Sequence, residues 1–331
     1  MKKNYLEETI KTLVMEIKNF KEGDEHHIFE LFELVFGRPM KPEYWYWRFQ
    51  DNPAGKHMIK LMWSENKLVG HYAVSPVNMN VGGESVIGAL SMTTMTHPDY
   101  GRKGIFGSLA EALYNDLEND IGVQAIWGFP NSNSHYGFIK KMKWVDLGVV
   151  NHLIKDSLTI KPEKDSNIKT SLVFNDEHEE ILNSITKEFE VKVNRNKEYL
   201  NWRFKDNPNV EYITFEYVER SEIKAFLVVK KYPSEEEGFF NIFIVENGIS
   251  LENIELLPKF LAHIKSHFKS SIKTFNIWLS LFDKRHIHIE RSGFLIGGKP
   301  TYIGVRSESE NETKIKDFRN WYFSYSDSDV Y

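Results

Sequence analysis

Met95-Thr96-His97-Pro98-Asp99-Tyr100-Gly101-Arg102-Lys103-Gly104-Ile105-Phe106-Gly107-Ser108-Leu109 is the stretch that decides the fold. A β-rich run ends at His97-Pro98, a turn with glycines and two cations follows, and a helix begins at once. Ile105, Leu109, Leu113 and Leu117 recur every fourth residue and make one buried helical stripe. A strand that passes through a glycine-rich turn into a helix N-terminus leaves several backbone N–H groups unpaired at the positive pole of the helix dipole. That arrangement holds a phosphate. Gly104 and Gly107 allow an oxygen to approach closely, and Arg102 and Lys103 add positive charge. The spacing is neither GxxxxGK[ST] nor GxGxxG, so the diphosphate it suits belongs to another cofactor.

The run from His97 to Leu109 resembles the acetyl-CoA-binding motif of GCN5-related N-acetyltransferases (GNAT), over roughly residues 14 to 155 with a weaker echo to about residue 305. Two positions depart from the motif: Gly101 stands where the family has Arg or Gln, and Phe106 replaces a small residue. Arg102 partly offsets the first departure, and the second is tolerated if main-chain N–H groups hold the pyrophosphate while Phe106 turns into the core. The resemblance implies acetyl-CoA as co-substrate and no metal. It places the cofactor on the strand end Thr94, Met95 and Thr96, on Gly101, Arg102, Lys103, Gly104, Ile105, Phe106, Gly107 and Ser108, and on Asn131 after the next strand.

An internal repeat sets the domain count. Glu43-Tyr44-Trp45-Tyr46-Trp47-Arg48-Phe49-Gln50-Asp51-Asn52-Pro53 returns as Glu198-Tyr199-Leu200-Asn201-Trp202-Arg203-Phe204-Lys205-Asp206-Asn207-Pro208, identical at eight of eleven positions at an offset of 155. The offset continues into Leu68 to Val74 and Ile223 to Val229. Such a period is one domain long. The expectation is an α/β (α+β) chain of two tandem GNAT-like domains, 1–155 and 156–331, each a mixed, mostly antiparallel sheet flanked by helices.

Composition agrees with two globular domains, since 41% of residues are hydrophobic and 14% aromatic. A net charge of −5 disfavours nucleic acid and anionic membrane as partners. The absence of cysteine removes disulfides, thiolate metal sites and a cysteine nucleophile. No apolar run has signal-peptide or membrane-spanning length, which predicts a soluble, cytoplasmic protein; an oligomer is not indicated.

Strands are expected at Leu13 to Ile17, Met58 to Trp63, Leu68 to Val74, Val86 to Thr96 and Val123 to Gly128, with a polar linker from Lys155 to Ser171. In the second copy the strand Gly238 to Val245 leads into a turn with one glycine, no cation and carboxylates at Glu246, Glu252 and Glu255, a poor host for a diphosphate. Trp47, Trp202, Phe49 and Phe204 occur in both copies and read as core, with Arg48 and Arg203 pairing an acid or capping carbonyls.

Acyl transfer to an amine needs a base for the ammonium, donors for the oxyanion and an acid for the leaving thiolate. The family's usual tyrosine position holds Ile139, and Tyr136, one helical turn earlier, is the substitute acid; His135 and His97 are weaker candidates. No carboxylate lies on Ser91 to Thr96. The aromatic, acidic end Trp321 to Tyr331 reads as an anchored tail whose Asp327, Asp329 and terminal carboxylate on Tyr331 gather charge that attracts an ammonium and accepts its proton. The reading is an acetyl-CoA-dependent N-acetyltransferase acting on a primary amine of a small molecule or amino sugar. Tandem copies also occur in aminoacyl transferases that modify cell-wall precursors, and a non-catalytic acyl-CoA-binding module is the third reading.

Overall fold

A computed structural model describes residues 15–132, 134–269 and 271–329. Leu13 lies outside them, and the first strand is seen as β1 (Met15–Asn19). The first copy continues with α1 (Glu25–Phe36), α2 (Pro42–Phe49), β2 (Ile59–Ser64), β3 (Lys67–Val81), β4 (Glu84–Thr96), α3 (Ile105–Asn115), β5 (Ala125–Gly128), α4 (His135–Lys141), β6 (Val145–Val150) and β7 (His152–Asp156). The second copy repeats the series as β8 (Ile168–Ser171), α5 (Asp176–Thr186), α6 (Lys197–Leu200), β10 (Ile213–Glu219), β11 (Glu222–Pro233), β12 (Phe240–Gly248), α7 (Leu256–His267), β13 (Ile272–Trp278), α8 (His286–Arg291), β14 (Leu295–Ile296) and β15 (Thr301–Arg306); β9 (Val191–Val193) is its one added strand.

Local chemistry accounts for the boundaries. Gly37, at φ 68°, closes α1 in the left-handed region and donates its N–H to the Glu33 carbonyl. Pro42 opens α2 at a first-turn position where its missing N–H costs nothing. β3 extends seven residues past Val74, through a Pro76 that would ordinarily argue against a strand interior. Asn52 reaches across to donate to both Ser75 Oγ and the Pro76 carbonyl at 3.0 Å, so the strand stays satisfied there.

The strands form two mostly antiparallel sheets, ordered β1-β2-β3-β4-β5-β15-β6, with β9 added on β3, and β14-β7-β13-β12-β11-β10-β8. The copies trade their last strands. β15 enters the first sheet between β5 and β6, while β7 enters the second between β13 and β14. A boundary at 155/156 therefore separates chain segments but not sheets. The expected linker is also structured: Lys155 lies on β7 and donates to the Ser292 carbonyl at 2.6 Å, and Ile168–Ser171 is already β8.

Between the sheets runs one shared core. The repeated tryptophans meet face to face, with Trp47 and Trp202 stacked at 4.9 Å, and each indole N–H donates to the other's carbonyl, at 2.8 and 3.0 Å. This is a two-fold contact written into one chain, and it bears out the core reading of both residues. The tail completes the core: Trp321 to Ser328 is buried, with Trp321 beside Trp127 and Tyr325 against Trp278. Separate cores lie under α3 in the first copy and under α7 in the second.

Candidate functional site

β4 and β5 run parallel only from Gly88↔Ala125 to Leu90↔Trp127. Beyond Leu90 the edge of β4 has no ladder with β5, whose other edge stays paired with β15 through Gly128. The gap opens at Ser91 and Gly128, where an added Cβ on Gly128 would stand 3.4 Å from Ser91 Cβ.

Along this edge β4 bulges, with Thr93 and Thr94 facing the single residue Tyr72 of β3. Thr93 adopts φ 49°, an unusual conformation for a β-branched residue. His71 holds it there: buried on the adjacent strand, its Nδ1–H donates to the Thr93 carbonyl at 2.7 Å. That bond fixes the tautomer and leaves Nε2 as a buried lone pair without a partner among the described residues. Burial lowers the His71 pKa to about 4. Sequence reading passed over this histidine, whose signal is only its register opposite the bulge.

A pH dependence follows. The folded pKa of His71 lies below its unfolded value near 6.5, so its neutral form supports the fold fully above that value and support is lost as pH falls toward 4. We expect about 3 kcal/mol of destabilisation from this group by pH 4. Urea midpoints measured from pH 7.5 to 4.5 should fall less steeply in His71→Gln than in the parent; equal slopes would refute the assignment.

On the α3 side of the gap lies a second feature invisible in the sequence. Tyr72 Oη hydrogen-bonds Ser91 Oγ at 2.8 Å and Tyr114 Oη at 2.9 Å, and Trp144 Nε1 donates to Tyr114 Oη at 3.0 Å. Burial raises the Tyr72 hydroxyl to about 12, so this chain stays protonated at neutral pH.

The strand end leads to the phosphate-type turn. Arg102 (φ 61°) and Gly104 (φ 76°) are both left-handed, and Gly104 caps α3 without a side chain. The first-turn N–H groups of Ile105, Phe106 and Gly107 have no intrahelical acceptor. Space beside Gly104 is open, and Gly107 has only the tip of Met142 nearby. Lys103 Nζ sits 4.6 Å above the Tyr100 ring, and among the described residues neither Arg102 nor Lys103 forms an ion pair. Phe106 points inward, edge-on to Tyr72 and Phe138. Thr94 and Thr96 are half-buried, Met95 packs its side chain into the α1 core, and Ser108 is exposed. From Gly107 a cavity of about 330 Å³ follows α3 past Glu111 to Lys141, Lys143 and Arg306. Unpaired N–H groups, free cations and an open glycine cradle fit a CoA pyrophosphate.

The remaining candidates are placed differently. Asn131 is exposed, and its Oδ1 accepts the Ser134 N–H that leads into α4. Tyr136 is on the first turn of α4 and 66% exposed, while Ile139 packs inward. Asp327 is corrected: its carboxylate is buried and bonded to Arg195 NH2 at 2.6 Å, so it cannot meet a substrate ammonium. Asp329 is exposed as a whole residue, yet burial of its carboxyl raises its pKa, with Arg48 and then Arg203 opposing. Tyr331 lies outside the described residues. Arg203 grips the tail, donating from Nε to the Ser326 carbonyl and from NH2 to that of Ser328. Its repeat partner Arg48 lies over both tryptophan rings instead, at 4.5 and 5.2 Å.

In the second copy the corresponding opening is filled by the chain itself. Arg285 NH1 donates to the carbonyls of Asn247 and Ile249, and Tyr325 lies 4.6 Å from Trp278. Glu246, expected at the turn, is instead fully buried; it accepts from Arg195 Nε at 2.8 Å and from the hydroxyls of Ser324 and Ser326. Burial alone would raise its carboxyl, and Arg195 outweighs it, holding the pKa below the usual range. Among the described residues no helix is long and apolar enough to cross a membrane, and no three His, Cys, Asp or Glu side chains are grouped as metal ligands.

Residues 16–145 match the acetyltransferase (GNAT) domain. Solved structures agree in fold. A protein from Enterococcus faecalis V583 described as a probable N-acyltransferase has a TM-score of 0.66 at 14% identity, over 89% of this chain and 73% of its own. A GCN5-related N-acetyltransferase from Anabaena variabilis gives 0.66 at 13%, over 89% and 73%. The N-myristoyltransferase of Saccharomyces cerevisiae with bound myristoyl-CoA gives 0.61 at 10%, over 88% and 79%. No curated protein matches the sequence significantly.

Proposed function

Since residues 16–145 belong to the acetyltransferase (GNAT) domain family, we propose that the chain is an N-acetyltransferase that moves the acetyl group of acetyl-CoA to a primary amine of a small molecule or amino sugar. The single observation that carries this reading is the open edge of β4 running into the cationic turn at Gly101–Gly107. The bound thioester supplies the acyl group. Thr94 and Thr96 offer main-chain groups to its arm, and the turn from Gly101 to Ser108, with Arg102 and Lys103, takes the pyrophosphate. His71 keeps the Thr93–Thr94 bulge in shape. Asp329 takes the amine proton; a carboxyl raised by burial is a better base near neutral pH. Tyr136 donates to the leaving sulfur. The second copy binds no cofactor and serves as the wall of the acceptor cleft.

Calorimetric titration with acetyl-CoA should give one site per chain, and amine addition should release free thiol. Gly104→Glu sets a carboxylate against the diphosphate and should weaken binding about 10³-fold, from roughly 4 kcal/mol of repulsion near a protein surface. Tyr136→Phe should lower kcat about 10²-fold with little change in cofactor affinity. Two sites per chain, or binding that survives Gly104→Glu, would sink the assignment.

A further inference from the structure

The hydroxyl chain behind the gap has a direction, and its far end sets it. An indole N–H can only donate, so Tyr114 Oη accepts from Trp144 Nε1 at 3.0 Å. Tyr114 and Tyr72 are 3% and 0% exposed, and each phenol has a single hydrogen to place. If Ser91 donated to Tyr72 and Tyr72 to Tyr114, the Tyr114 hydrogen would be stranded in the core, with no acceptor among the described residues. An unmade buried hydrogen bond is costly. The opposite order satisfies both phenols: Tyr114 donates to Tyr72 at 2.9 Å, and Tyr72 donates to Ser91 Oγ at 2.8 Å. The hydrogen left to place is then that of Ser91, whose hydroxyl has no further partner among the described residues.

Ser91 is half-buried and stands at the mouth of the gap, just past the last β4–β5 pair, Leu90↔Trp127. A methyl group on Gly128 would fill the space between Ser91 Cβ and the Trp144 ring, 3.4 Å from each; glycine leaves it open. Along β4 the order from the cationic turn is Thr96, Thr94, Ser91, and Ser91 lies about 10 Å up the strand from Thr94. With the pyrophosphate on the turn and its arm along Thr96 and Thr94, the acyl end reaches toward Ser91.

On the proposed acyl transfer, we infer that the Ser91 hydroxyl is a catalytic donor to the thioester carbonyl oxygen, with Tyr72, Tyr114 and Trp144 as positioning residues behind it. As the amine nitrogen adds to the carbonyl carbon, the C=O pair moves onto oxygen, and Ser91 hydrogen-bonds that charge while keeping its proton. The pair returns when the C–S bond breaks. Three donors in series polarise the last O–H and fix its aim. Burial holds the Tyr72 phenol at about 12, so the series stays neutral and keeps its order at working pH.

Acetyl-CoA carrying a 13C carbonyl, bound without any amine, reads the contact by isotope-edited infrared spectroscopy. Its carbonyl stretch should lie lower in the parent than in Ser91→Ala, with Tyr72→Phe between them. In turnover, Ser91→Ala should lower kcat about 10²-fold, the effect of one oxyanion donor, at unchanged acetyl-CoA affinity. Tyr72→Phe, which keeps the ring and removes only the hydroxyl, should lower kcat about tenfold, the value of one hydrogen bond. Added to Ser91→Ala it should slow the enzyme no further, whereas a purely structural role would make the two losses add. Normal binding and turnover with the same carbonyl stretch in the parent and Ser91→Ala would overturn this inference alone. A Tyr72→Phe loss that is equal with and without Ser91 would do the same. Acetyl-CoA that fails to bind the parent, or binds Gly104→Glu as well, would remove the acyl-transfer reading and this inference with it.

Discussion

Arg195→Ala is expected to destabilise the protein by about 3–5 kcal/mol, the usual result of stripping one partner from a buried ionic cluster. Arg195 stands between two carboxylates, with Nε on Glu246 at 2.8 Å and NH2 on Asp327 at 2.6 Å, and all three side chains are almost fully buried. Its removal strands Glu246 inside the second sheet and unties the tail at Asp327. The hydroxyls of Tyr322, Ser324 and Ser326 and the Asn247 N–H then remain to solvate Glu246. Urea unfolding at pH 7 should show the loss as a lower midpoint, and carboxypeptidase should digest the tail faster. Replacing Arg195, Glu246 and Asp327 together by apolar residues should recover much of the stability, because desolvation of the charges disappears with them. A midpoint unchanged by Arg195→Ala would mean that the cluster contributes nothing net.

Trp47→Ala and Trp202→Ala should each cost about 3–5 kcal/mol, as large aromatic truncations in a packed core do. Each change also orphans a carbonyl on the opposite copy, since the indoles cross-donate. The two sites share one contact, so the double variant should lose less than the sum of the single losses. A Trp47→Ala protein that melts like the parent but binds acceptor poorly would instead make this pair a substrate platform.

The sequence made the elements of the first copy legible because their signals are local. Periodic apolar residues gave α3, paired glycines gave the β3–β4 turn, and the glycine-rich cationic turn gave the boundary between β4 and α3. The repeat Glu43–Pro53 and Glu198–Pro208 correctly implied a second, equivalent set of elements. What stayed hidden was every feature that depends on partners distant in the chain. Glu246 reads as a turn acid until Arg195 and the tail serines are seen around it. Asp327 reads as a charge awaiting a substrate ammonium for the same reason. Tyr72, Ser91, Tyr114 and Trp144 converge from three strands or strand ends and one helix, with no spacing that could connect them. The strand exchange was illegible because β7 and β15 have ordinary strand patterns, and only pairing says which sheet receives them.

That exchange turns the molecule into the single-chain counterpart of a swapped dimer. Without β15, the seam between β5 and β6 would stand open beside the candidate cofactor gap; without β7, β13 and β14 would have nothing between them. The second half is therefore not a passenger that a shorter chain could discard. It is free to fill its own opening with Arg285 and Tyr325, yet it must go on lending a strand to the first sheet. Redundancy of chemistry and indispensability of architecture coexist in the same stretch of polypeptide, and an engineer seeking a minimal catalyst would have to supply β15 in trans.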